Sequence, residues 1–221
     1  MIGPMTIRST AGRVAAYAWL TFAVLNIADL VFGLTGEPTY SLTALTVGVL
    51  LLLGCGIAYT VGLRPVIRAD DDGVEVRNPL RDIRIPWAAV RGIEGANAVK
   101  IRFTGPDGAE LEARAWVHQT SPRAQAKAEA RARKEQAKTQ GFDLTGRTPT
   151  AYTAQRLNEI LQRQRPKTRS GAPDKAAAAK AKAEEARESV RGAVTWSVPA
   201  VVSLVVPLAA LVVLAIVGAV S

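Results

Sequence analysis

Three long apolar runs bound what this chain can fold into. They are "VAAYAWLTFAVLNIADLVF" from Val14 to Phe32, "LTALTVGVLLLLGCGIAYTV" from Leu42 to Val61, and "VTWSVPAVVSLVVPLAALVVLAIVGAV" from Val194 to Val220. Each reaches the ~20 residues that cross ~30 Å of hydrocarbon at ~1.5 Å per residue. None contains Lys or Arg. Backbone groups in lipid must be bonded within the segment, so each run is expected to be a transmembrane helix. Arg8 and Arg13 precede the first run as in a signal peptide. The run is longer than an ordinary h-region, however, and a second follows almost at once, so an uncleaved anchor is expected.

The basic residues orient these spans. The loop between the first two, "GLTGEPTYS", has no Lys or Arg, whereas 26 of the chain's 28 lie between Arg64 and Arg191. The positive-inside rule then puts the N-terminus and the 64–191 region in the cytoplasm, and the C-terminus outside. Trp19, Tyr40, Tyr59 and Trp196 suit interfacial positions. Gly54, Ala58 and Gly62 recur at four-residue spacing, which lets a helix approach closely, either in an oligomer seam or against the first span. Asn26 and Asp29 near the outer end of span one are expected to be hydrated interfacial groups, and Pro199 and Pro207 permit a kink in span three.

Between the spans the period changes from helical to two. Val74 and Val76 alternate with Glu75 and Arg77, Ile83 and Ile85 with Asp82 and Arg84, and Val99, Ile101 and Phe103 with Lys100 and Arg102. Leu111, Ala113 and Ala115 alternate with Glu110, Glu112 and Arg114. Such strands, punctuated by Asp72-Gly73, Asn78-Pro79 and Pro106-Asp107-Gly108, form antiparallel sheets with one wet face. The apolar face needs a cover. An amphipathic helix from Thr150 to Arg165, with Ala154, Leu157, Ile160 and Leu161 on one side, can supply it.

The stretch "RPVIRADDDGVEVRNPLRDIRIPWAAVRGIE" resembles the small bacterial pleckstrin-homology (PH)-like domains common in actinobacterial membrane proteins. There, two N-terminal spans precede a strand ending in Asp-Gly-φ-x-φ-x-Asn, where φ is apolar, and a basic strand then ends in Pro-Trp, as Pro86-Trp87 does here. The resemblance covers residues 14–117 and extends to 150–165. It implies a binding or assembly module, and it carries no established reaction. The insertion at 118–148 and the third span are additions to the short family pattern. The expected fold is an α+β membrane protein: three transmembrane helices and a cytoplasmic PH-like antiparallel β-barrel closed by a C-terminal helix. The expected segments are a two-helix hairpin at 1–62, the PH-like domain at 63–165, a linker and juxtamembrane helix at 166–193 that can run on into the third span, and that span at 194–221.

The insertion and the residues that follow it supply most of the charge. From Ser121 to Arg169 there are 12 basic and 4 acidic residues, a balance of +8 out of +9 for the chain. Arg123, Lys127, Arg131, Arg133, Lys134 and Lys138 lie on a helix without large apolar side chains, so any membrane contact is electrostatic and salt-sensitive. With Arg64 and Arg68, which leave span two, these residues are the candidate contacts to anionic lipid headgroups. A protein partner, or other copies of this chain, are further candidates. A nucleic-acid tether through 121–169 is the alternative, made less favourable by the lack of interleaved aromatic residues. No enzyme is expected. One cysteine, Cys55, and one histidine, His118, provide no disulfide, no Cys–His pair and no metal set, and Asp70, Asp71 and Asp72 read as a solvated turn. No catalytic, cofactor-binding or metal residue is assigned.

Overall fold

The computed structural model describes residues 5–36, 40–117, 149–164 and 190–220. These divide into two compact units.

The first unit is built from two sheets and a helix. The chain opens with β1 (Met5–Arg8). After the first two helices it continues as β2 (Val66–Ala69), β3 (Gly73–Arg77) and β4 (Arg81–Pro86), then β5 (Val90–Gly95), β6 (Val99–Thr104) and β7 (Glu110–Arg114). Helix α3 (Pro149–Gln164) follows, and β8 (Ala193–Trp196) precedes the last helix. Sheet A has the order β1-β2-β3-β4-β8 and sheet B the order β5-β6-β7. The register sets Ile7, Ile67, Val76 and Ile83 in one row, and Met5, Ala69, Val74 and Ile85 in the next. Both rows face a core shared with Ile93, Val99, Ile101 and Phe103 of sheet B and Leu157, Ile160 and Leu161 of α3. Helix α3 is pinned to β5 and its turn by Thr150 Oγ1 donating to the Ala96 carbonyl (2.7 Å) and Asn158 Nδ2 donating to that of Ile93 (3.0 Å).

This arrangement corrects the expected closed barrel: the strands form two open sheets. Pro86 has no N–H to extend the ladder, and the 3₁₀ turn Trp87–Ala89 redirects the chain into β5. A second correction concerns the edges. Strands β1 and β8 lie outside the 63–165 range expected for the domain. Residues 194–196, read as the start of span three, belong to β8, so no helix runs unbroken into that span. Thr195 Oγ1 donates to the Asp82 carbonyl (3.4 Å), and the Gly192 N–H to that of Thr104 (2.8 Å), which draws the segment over the Phe103 ring. A third correction is Leu111. It sits in register with Phe103 but is 38 % exposed, because its side chain lies over the Gly105 turn at the sheet's end.

The second unit contains α1 (Thr10–Phe32), α2 (Leu42–Ile57) extended by a π-helical turn (Ala58–Leu63), and α4 (Val198–Val220), together with the β3–β4 turn Asn78–Arg81. All three helices are long and apolar enough to cross a membrane. Helix α2 packs on both others. A Cβ at Gly62 would fall 2.6 Å from the Gly12 carbonyl oxygen, one at Gly54 2.3 Å from the Trp19 ring, and one at Gly56 2.2 Å from the Ser203 carbonyl oxygen. The small residues at 54 and 62 therefore serve packing of α2 on α1. The π-helical turn, marked by the Arg64 N–H bonding the Tyr59 carbonyl (3.0 Å), contains Thr60, whose hydroxyl donates to the Gly56 carbonyl (2.9 Å). Pro207 lies inside α4.

Candidate functional site

The helical unit gathers its cations at one end. Arg13 is in the first turn of α1, and Arg64 follows α2 and its π-helical turn. The Arg64 guanidinium donates to the Asn78 carbonyl. Arg81, at the close of that turn, stacks 4.6 Å from the centre of the Trp196 ring. The Ser197 N–H donates to the Leu80 carbonyl (2.9 Å), which fixes the turn to the start of α4. The result is a collar of three arginines and an exposed tryptophan where α1 begins, α2 ends and α4 begins. From Val14 to Leu63 the sequence has no Lys or Arg. The opposite end holds Asp29 instead, whose carboxylate accepts from the Thr35 N–H (2.7 Å) and hydroxyl (2.9 Å). That local partner accounts for Asp29 without an ion path.

The sheets carry charge differently. On the outward face of sheet B, Lys100, Arg102 and Arg114 stand among Glu94, Glu110 and Glu112. Ion pairs join Lys100 to Glu112 (3.1 Å) and Arg102 to Glu94 (2.9 Å) and Glu110 (4.0 Å). The outward face of sheet A, by register, presents Arg8, Arg68, Arg77 and Arg84 against Glu75 and Asp82. Glu75 is shared between Arg77 (2.8 Å) and Arg68 (3.8 Å). With Arg91 of β5, which donates to Thr104 Oγ1 (3.0 Å), sheet B carries a single positive charge in excess, and sheet A keeps the larger excess.

Of the residues expected from sequence, Arg64 lies in the collar and Arg68 on sheet A. Arg123, Lys127, Arg131, Arg133, Lys134 and Lys138, like His118, lie outside the described residues. Arg13, Arg81 and the other sheet A arginines, Arg8, Arg77 and Arg84, are not singled out as contacts by the sequence. Charge alone marks them in the sequence; the register groups those of sheet A, and the Trp196 stack places Arg81. Asp70 Oδ1 accepts from the N–H groups of Asp72 (3.0 Å) and Gly73 (2.9 Å), so the triple aspartate works as a turn. Among the described residues no group of His, Cys, Asp and Glu is placed to hold a metal.

Residues 64–135 match the bacterial PH domain family. The chain carries a bacterial PH-like domain. The match starts at Arg64, spans β2 to β7 and ends before α3. No curated protein and no solved structure matches the chain. PH domains are typically binding modules without catalytic chemistry. In this PH-like domain the Asp72-Gly73 and Pro86-Trp87 signature is structural. Trp87 is buried, its Nε1 donates to the Asp70 carbonyl (2.8 Å) and its N–H to that of Asp72 (3.3 Å). Gly73 is required there, since a Cβ would fall 2.4 Å from the Ile85 carbonyl oxygen. The signature thus staples the end of β4 to the turn before β3.

Proposed function

We propose that the protein is an integral membrane anchor for a PH-like binding module that works at the cytoplasmic leaflet and contacts anionic lipid headgroups. It is a binding or assembly component and not an enzyme. The observation that carries this reading is the collar: Arg13, Arg64 and Arg81, with Trp196, gather at one end of three apolar helices whose other end has no cation. Arginine and tryptophan at helix ends suit the headgroup layer. Each basic residue near an anionic surface contributes ~1 kcal/mol, so the three together favour it by ~3 kcal/mol. Arg68 and the basic segment Arg123 to Lys138 would add to the same attraction, loosely and through charge alone.

Thermal unfolding of the full chain in nanodiscs tests this reading. Replacing a third of the phosphatidylcholine with phosphatidylglycerol is expected to raise the midpoint by about 5 °C or more. The rise should vanish in 0.5 M salt and in the triple variant Arg13→Gln, Arg64→Gln, Arg81→Gln. A midpoint indifferent to lipid charge contradicts the headgroup reading. Binding of duplex DNA to the chain in neutral nanodiscs would favour the nucleic-acid tether instead.

A further inference from the structure

We propose that the groove between α1 and α2 is a specific phospholipid site, taking an acyl chain of an anionic phospholipid whose phosphate rests at Arg13 and the N-terminus of α1. The groove has a volume of about 400 Å³ and is lined by Gly12, Ala15 and Trp19 of α1 and Gly54, Ala58 and Gly62 of α2, among others. The close approaches of Gly54 to Trp19 and of Gly62 to Gly12 hold the helices together. Beside that seam the short side chains of Ala15 and Ala58 leave the hollow open. Gly12 to Trp19 spans about 10 Å along the helix, a third of the hydrocarbon thickness. Water is absent at that depth, so an apolar hollow open to the bilayer fills with hydrocarbon.

Charge at the mouth selects the headgroup. Arg13 follows Gly12 directly and is exposed. It stands in the first turn of α1, which has no acidic residue, although the helix dipole favours an anion there. A cation so placed opposes the dipole, and a phosphate beside it answers the guanidinium, while Ser9 caps the turn by accepting from the Gly12 N–H (3.2 Å). Arg64 comes two residues after Gly62, so a second guanidinium belongs to the same end while keeping its bond to Asn78. An apolar trough ending at two guanidinium groups has the chemistry of an anionic phospholipid.

This site rests on the reading of α1 and α2 as membrane spans. The full chain is placed in phosphatidylcholine nanodiscs containing a small fraction of a phosphatidylglycerol or phosphatidylcholine analogue with a photoreactive acyl chain. Labelled peptides are then mapped. The phosphatidylglycerol analogue is expected to label residues 12–19 and 54–62 about fivefold more than the phosphatidylcholine analogue, the factor that the ~1 kcal/mol of Arg13 alone gives, Arg64 being held by the Asn78 carbonyl. Arg13→Gln should remove that preference, and 0.5 M salt should do so in the unchanged chain. Ala15→Phe, which fills the groove and leaves every collar cation in place, should abolish labelling of these segments while retaining the thermal response to anionic lipid. Loss of that response alone would contradict the headgroup reading and not the groove. Equal labelling by the two analogues overturns the proposal, as does unchanged labelling in a folded Ala15→Phe chain. Crosslinking of the groove to a second copy of the chain overturns it in favour of self-association. Should Ala15→Phe fail to fold, the headgroup and salt comparisons on the unchanged chain decide.

Discussion

At the scale of single residues, the PH-like unit depends on a few side chains with no exposed surface. Ile101 is fully buried and central to sheet B, between Ile93 and Ala113. Ile101→Asp would bury an unpaired carboxylate at a cost of several kcal/mol, comparable to the ~5–15 kcal/mol that holds a domain together. The near-UV circular dichroism of the full chain should collapse, and a native spectrum with an unchanged melt would remove Ile101 from the core. Trp87 makes a subtler case. Trp87→Phe keeps the aromatic bulk but strips the donor from the Asp70 carbonyl, an expected loss of about 1–3 kcal/mol in urea titration. A loss near zero would mean that the indole N–H does not staple the turn.

At the scale of elements, α1 and α2 are joined by close backbone approach. Gly62→Ile would drive a branched side chain into the Gly12 carbonyl and the Ala16 methyl, both 2.6 Å from the position of its Cβ. Overpacking of this kind costs about 1–3 kcal/mol, and the melting midpoint of the full chain in detergent should fall accordingly. A wild-type midpoint would show that α1 and α2 do not touch there. The core strands were legible because alternation reports burial directly: Val74, Val76, Ile83, Ile85, Val99, Ile101 and Phe103 all face inward as the period of two demands. Strands β1 and β8 were not legible. "MTIR" and "AVTW" have four residues each, too few for a period to register, and "AVTW" adjoins so apolar a helix that it reads as membrane. Their pairing with β2 and β4 is a property of distant partners. The π-helical turn was hidden for a similar reason, since composition does not distinguish one helical hydrogen-bonding step from the next.

At the scale of the whole molecule, connectivity ties the PH-like sheet to the apolar helices. Strand β1 continues into α1 through Ser9, α2 and its π-helical turn into β2 through Arg64 and Pro65, and β8 into α4 through Ser197. The three apolar helices and their charge asymmetry could be read from sequence, because length, hydropathy and the placement of Lys and Arg are linear properties. The collar could not, because it unites Arg64, Arg81 and Trp196 from three distant parts of the chain. The account stands on the charged end of the helices being cytoplasmic. In a Cys55→Ala background, Gly36→Cys and Asp107→Cys place single thiols at exposed positions, one between the first two spans and one on the β6–β7 turn. With a membrane-impermeant maleimide on intact cells, Gly36→Cys should label and Asp107→Cys should label only after permeabilisation. Labelling of Asp107→Cys in intact cells, with Gly36→Cys protected, would contradict the account.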